Sequence, residues 1–128
     1  MLPGIKASQS LARAQARLIA PGMVEIKCVG NLSADDTAYL SSLSRLIDAE
    51  SGPVSLLFEA MELHSYSPKF PLAHIDFFRD YHARLHRIAV AHELKSIAFA
   101  IATVSLASNT LIKGFPNVAD AMAWLREV

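Results

Sequence analysis

The chain switches between two hydrophobic periods, and each switch marks an element. In Met23-Val24-Glu25-Ile26-Lys27-Cys28-Val29, the residues Val24, Ile26 and Cys28 alternate with Glu25 and Lys27. That two-residue period predicts a strand with one buried face. Ala14–Ala20 precedes it, and the turn dipeptide Pro21-Gly22 between them makes the pair a hairpin. After Gly30-Asn31-Leu32 the period lengthens. Leu40, Leu43 and Ile47 recur at helical spacing and predict a helix over about 34–49. Ser33 stands three residues before Asp36, a capping-box arrangement that satisfies free backbone N–H groups at the helix start. Asp35 and Asp36 also suit the positive end of the helix dipole. Ser51-Gly52-Pro53 stops the helix.

Two further strand–helix units follow. Val54 to Phe58 is a nearly continuous apolar run, the pattern of a central strand buried on both faces. The stretch 59–71 carries His64, Ser65, Tyr66 and Ser67 and is punctuated by Pro68 and Pro71, so it reads as a loop. A helix is expected over 71–86, with Leu72, Ile75, Phe78, His82 and Leu85 as its core stripe. Arg87 to Ala91 is a second central strand. The next helix runs over 94–107. One stripe holds Leu94, Ile97, Ala98, Ile101 and Val104, and the opposite side holds Phe99, Ala102 and Leu106. A helix apolar on nearly all sides calls for cover beyond its own sheet.

Asn109 to Lys113 reads as the last strand. Asn117 caps a final helix with Asp120 three residues on, and Val118, Ala121, Met122 and Leu125 form its inner stripe. Trp124 lies at the flank of that stripe, where its ring can be buried. The order β-β-α-β-α-β-α-β-α predicts an α/β fold. Its five-stranded sheet is mostly parallel, with right-handed crossovers and an antiparallel edge from the N-terminal hairpin. Residues 1–12 read as a tail and 13–128 as one domain.

Composition narrows the function more than the fold. The 128 residues, 52% hydrophobic and 19% charged, suffice for one domain with a sizeable core. Twelve basic residues balance twelve acidic ones, so no global field attracts nucleic acid or anionic lipid, and self-association is not opposed. The start is poor in acids, with Lys6, Arg13 and Arg17 before Glu25, as in transit peptides, but Ala14 onward already reads as a strand. No apolar run is long enough to span a membrane. Cys28 is the single cysteine, which fits a reducing, cytoplasmic setting, and its place in the alternating strand makes it a small core residue.

Candidate chemistry is sparse. His82 and His86 are four apart, a ligand spacing if both lie on one helix, with His64, His74, His92, Asp76 and Asp80 nearby in sequence. There is no His-Glu-x-x-His string and no cysteine pair, so no metal and no cofactor is expected. No Gly-x-Ser-x-Gly, P-loop or Gly-x-Gly-x-x-Gly string is present either, and the chain is not expected to be an enzyme.

Four stretches resemble the SpoIIAA-like proteins, a bacterial family with the STAS fold. They are Gly30 to Asp36, Val54 to Phe58, Arg87 to Val90, and Phe115 through Ala121-Met122-Ala123-Trp124-Leu125. The resemblance implies a small regulatory or protein-binding domain. In anti-sigma-factor antagonists an Asp-Ser-Ser/Thr-Gly string after a central strand carries a phosphorylated serine whose added charge breaks a partner interface. Here the equivalent region reads Glu59 to Ser67 without that string. Ser65 and Ser67 are the nearby hydroxyls that could be phosphorylated, but without the motif this is not expected, and a cap or turn is the expected role of Ser67.

The remaining excess is apolar. Phe77 and Tyr81 lie off the main stripe of their helix, and Phe99, Ala102 and Leu106 lie on the second side of the next. Together they form the candidate interaction surface, for another protein or a second copy of this chain. The alternative role is that of a carrier or sensor of a lipid-like or other apolar small molecule, since the STAS fold resembles lipid-carrying α/β domains in broad layout. Such a carrier needs a pocket between the two helices and the sheet. Otherwise the two helices simply cover each other.

Overall fold

In a computed structural model the protein is described over residues 13–127, so the expected 1–12 tail lies outside the described residues. Strands β1 (Ala14–Ala20) and β2 (Met23–Leu32) form the expected antiparallel hairpin, with Ala14 opposite Cys28 and Leu18 opposite Val24. Gly22 takes φ +73° at the turn, a conformation that a side chain opposes. Its amide donates to the Glu50 carboxylate at 2.6 Å, which ties the turn to the end of the first helix.

β2 runs parallel to β3 (Val54–Tyr66), β3 to β4 (Leu85–His92), and β4 to β5 (Ile112–Phe115). The spatial order is the sequence order, β1-β2-β3-β4-β5. Successive right-handed crossovers that always step the same way place every crossover on one face. These segments are a 3-10 turn at Ala34–Tyr39 with α1 (Leu40–Asp48), then α2 (Lys69–Asp80) and α3 (Ile97–Ser108). The helix after the last strand, α4 (Val118–Leu125), is not a crossover and takes the other face.

Two cores result. Val24, Ile26, Leu56 and Ile88 face α1, α2 and α3, meeting Leu43, Ile47, Phe78 and Val104. Leu57, Ala89 and Ala91 face Ala121 and Leu125 of α4. Leu56 and Leu57 are neighbours in sequence and fully buried in different cores. That is the two-sided burial expected of β3.

Besides the 3-10 opening of the helix expected over 34–49, which is α-helical only over Leu40–Asp48, the element bounds differ from the sequence expectation in three places. The stretch from Glu59 to Tyr66 is strand, not loop. β2 continues through Leu32 and pairs with it, Asn31 opposite Ser65 and Leu32 opposite Tyr66, while Ala60 and Leu63 are buried. Backbone pairing with a distant strand overrides a polar local composition.

The helix expected over 71–86 begins at Lys69 and ends at Asp80, and a 3-10 turn at His82–Arg84 leads into β4. Its buried face is Phe70, His74 and Phe78, four apart, while Leu72 is 50% exposed. His82 is therefore exposed and His86 lies in a strand, so the two share no helix face.

The third difference flanks α3, which starts only at Ile97 and leaves Ala98 exposed. Asn109 closes it in the left-handed conformation, φ 55°, and the Ser105 hydroxyl donates to the Thr110 carbonyl at 2.6 Å. The cap occupies residues expected to open the last strand, and β5 begins at Ile112.

Candidate functional site

α3 is apolar on two sides, and each side defines a candidate site. The inner side packs over the sheet beside α2. Between α2, α3 and the strands lies an apolar cavity of about 100 Å³, lined by Phe58, Leu63, Phe70, Ile88, Ile101 and Val104 among others. The half-buried Tyr66, Pro71 and Ala100 mark its rim. The Tyr66 hydroxyl donates to the Ser96 carbonyl at 3.1 Å at the start of α3, and Arg79 Nε donates to the Ala107 carbonyl at 3.1 Å near its end. Gly114 lets α3 settle against β5, because a Cβ there would lie 2.9 Å from His92 Nε2 and 3.0 Å from Ile101 Cδ1.

His74 stands in the cavity wall, 3% exposed. Its Nδ1 meets the Phe70 carbonyl at 2.8 Å and its Nε2 meets the Tyr39 hydroxyl at 2.6 Å. A carbonyl only accepts, so Nδ1 carries the proton and Nε2 accepts from Tyr39. Burial pushes the His74 pKa down to about 4, so the ring is neutral at pH 7, and burial holds the Tyr39 hydroxyl protonated by raising its pKa. Phe58, Phe70 and Phe78 surround the imidazole with ring centroids 4.8–5.8 Å away. Periodicity placed His82 in the core instead. The signal for His74 was the Phe70, His74, Phe78 spacing, which appears once the helix is started at Lys69.

Cys28 also lines the cavity. Burial first, then the charges of Glu59 and Asp36, push its thiol up to about 12. At pH 7 it is a protonated core residue, as its place in the strand suggested. His92, on the cavity side of β4, has its pKa lowered by partial burial, and its Nδ1 is sheltered without a hydrogen-bond partner of good geometry.

The outer side of α3 is open. Phe99 is 79% exposed and Leu106 85% exposed, and Ala102 is exposed between them. Phe77 and Tyr81 do not cover them. They stack on each other at 4.7 Å, half-buried, and the Tyr81 hydroxyl bonds the Ser44 hydroxyl of α1. The five residues of the expected surface therefore fall into two groups, one open on α3 and one turned toward α1.

Ser65 and Ser67 lie where β3 ends and α2 begins. The Ser65 hydroxyl donates to Asn31 Oδ1 at 2.7 Å, a cross-strand bond. The Ser67 hydroxyl accepts from the Lys69 amide at 3.3 Å, the expected cap-like role. His82 Nε2 lies 2.9 Å from the Asn109 carbonyl at the end of α3. Among the described residues, no three His, Cys, Asp or Glu side chains gather where they could hold a metal ion, and no helix is long and apolar enough to cross a membrane.

Two solved structures share the arrangement. An uncharacterised protein from Shewanella loihica PV-4, of the DUF3478 family with a SpoIIAA-like fold, is 19% identical with a TM-score of 0.63, over 88% of this chain and 91% of that one. The anti-sigma factor antagonist SpoIIAA in its unphosphorylated form is 12% identical with a TM-score of 0.68, over 90% of this chain and 99% of that one. At these identities both are likenesses of fold. No curated protein matches the sequence. The family model described as SpoIIAA-like matches residues 23–126, which include the Gly30-to-Asp36 turn, both central strands and the helix ending in Trp124-Leu125. The chain belongs to the SpoIIAA-like family.

Proposed function

We propose that the protein is a non-enzymatic, cytoplasmic regulatory module that binds a protein partner through the outer face of α3. The exposure of Phe99 and Leu106 carries this reading. They are seven residues apart on one helix face, with Ala102 between them, and no charged side chain occurs from Ser96 to Ser108. Single exposed apolar residues are ordinary, but a helical stripe without polar relief is the pattern of a contact surface. Phe77 and Tyr81, turned toward α1, lie outside this proposed face. A second copy of the chain is the partner we propose, because a net charge of zero opposes no self-pairing. Light scattering over a concentration series tests this. Wild type should form dimers that Phe99→Glu abolishes. Two monomeric proteins at all concentrations would refute the self-pairing.

A second reading has its own support, the cavity under the inner side of the same helix. In it the protein carries or senses an apolar small molecule. Native mass spectrometry of the purified protein, followed by thermal shifts with candidate ligands, tests it. A bare mass and no shift with any apolar compound would count against the reading.

A further inference from the structure

We infer that the cavity between α2, α3 and the sheet takes a compact, uncharged group no larger than a single substituted ring or a short branched hydrocarbon, and excludes a carboxylate or ammonium head group from its interior. This rests on the apolar-ligand reading and names the ligand class within it. Size comes first. The cavity measures about 100 Å³. A cavity of roughly 150 Å³ with similar aliphatic and aromatic walls stays dry and holds benzene. Sites for drug-sized molecules run to roughly 300–1,000 Å³. This cavity is smaller and opens between Tyr66, Pro71 and Ala100, so one ring or a short branched group fills it, and most of a long acyl chain would stay outside unless the helices rearranged.

The polar atoms on the wall decide the rest. Both nitrogens of His74 are bonded, to Phe70 and Tyr39. The Tyr66 hydroxyl is committed to Ser96, and the Cys28 thiol points to the Ile26 carbonyl at 4.0 Å. No lysine or arginine lines the cavity. A charged head group drawn inside past the rim would lose its water and find no partner, which is strongly unfavourable. Phe58 and Phe78 meet edge-to-face at 76°, and Phe58 and His74 at 69°, so ring faces and edges are both presented to an aromatic guest.

The test is an NMR titration of the full chain with toluene, hexanoate and palmitate, read at the amides of Ile101 and Val104. Toluene should saturate, and hexanoate should bind at least tenfold more weakly. Ala100→Phe, which fills the cavity from its rim, should weaken toluene at least tenfold. Should that variant fail to fold, Ile101→Ala gives the opposite readout, an enlarged cavity in which naphthalene gains at least tenfold over wild type. Hexanoate binding as well as toluene would overturn the inference, as would a toluene titration unmoved by Ala100→Phe or a naphthalene affinity unmoved by Ile101→Ala. Palmitate binding without toluene would overturn this ligand class and leave the carrier reading standing. If none of the three binds, both fall.

Discussion

The hydroxyl of Tyr39 donates a 2.6 Å hydrogen bond to Nε2 of His74, joining the 3-10 turn before α1 to the buried face of α2. The bond holds the imidazole in one tautomer and makes it useful to the fold only while neutral. Tyr39, bonded to it, and Cys28, which shares the cavity wall with it, are titratable groups and both protonated, and burial, opposed by the bond to the Phe70 carbonyl, sets the pKa of the ring.

A pH dependence follows. His74 titrates near 6.5 when unfolded and near about 4 when folded. Between those values the unfolded chain binds a proton that the folded chain does not, so acid favours unfolding. The stabilisation is complete above 6.5 and is lost as pH falls toward 4, with a total of about 3 kcal/mol. His92, also lowered, adds to the same trend. Urea denaturation at pH 7 and pH 4.5 checks this with the double variant Tyr39→Phe, His74→Phe, which should lose much less stability between the two pH values than wild type. Equal losses would remove His74 from the explanation.

The single variant Tyr39→Phe tests the bond itself. It leaves Nε2 buried without a donor, a cost of about 1–3 kcal/mol. Calorimetry at pH 7 should show that loss. A neutral result would mean that water reaches the ring.

A second long-range clasp is Arg84. Its Nη2 donates to the carbonyls of Ile47, Glu50 and Gly52 at 3.1, 2.6 and 3.1 Å, where α1 ends. The Ile47 carbonyl also accepts from the Glu50 amide at 3.1 Å, and a cation at a helix C-terminus suits the dipole. Arg84→Ala should cost about 1.5–3 kcal/mol in urea denaturation. Arg84→Lys should restore only part of that, because an ammonium is a point charge without the planar guanidinium fork.

What the sequence revealed and what it hid divide along locality. Ser33 with Asp36, and Asn117 with Asp120, were readable because a cap is settled within four residues, and both bonds are present. Val54 to Phe58 announced itself by unbroken apolarity. The extension of β3 to Tyr66 did not, since Glu62, His64 and Ser65 carry no strand signal and their partner lies in β2. Arg84 reaches back more than thirty residues, and no periodicity encodes such a bond. The open stripe at Phe99 and Leu106 was legible as an excess of apolar positions. The cavity beneath it was not, because its walls come from β2, β3, β4, β5, α2 and α3 together.

Trp124 shows how a recognisable residue acts structurally. Its half-buried ring lies 5.5 Å from that of Phe115 and 4.9 Å from the Arg87 guanidinium, and Arg87 Nη1 donates to the Trp124 carbonyl at 2.5 Å. Partial burial and the cation contact together make Trp124→Ala cost about 2–3 kcal/mol by denaturation. A loss below about 1 kcal/mol would make the ring a surface contact residue instead of an anchor for α4.

Phe99→Glu belongs to the opposite class. The side chain is exposed, so the folded monomer should keep its stability within about 0.5 kcal/mol. Any large effect on association is then a surface effect.

That separation allows a direct measurement of whether the outer face of α3 is a contact surface. A photo-crosslinking residue is placed at position 99 in one variant and at position 120 in another, an exposed site on α4 across the sheet. The purified variants are irradiated over a concentration series and the products are weighed by mass spectrometry. Position 99 should give a product of twice the chain mass and position 120 none. Equal yields from both positions, or no product from either, would mean that the outer face of α3 is not where copies of the chain meet.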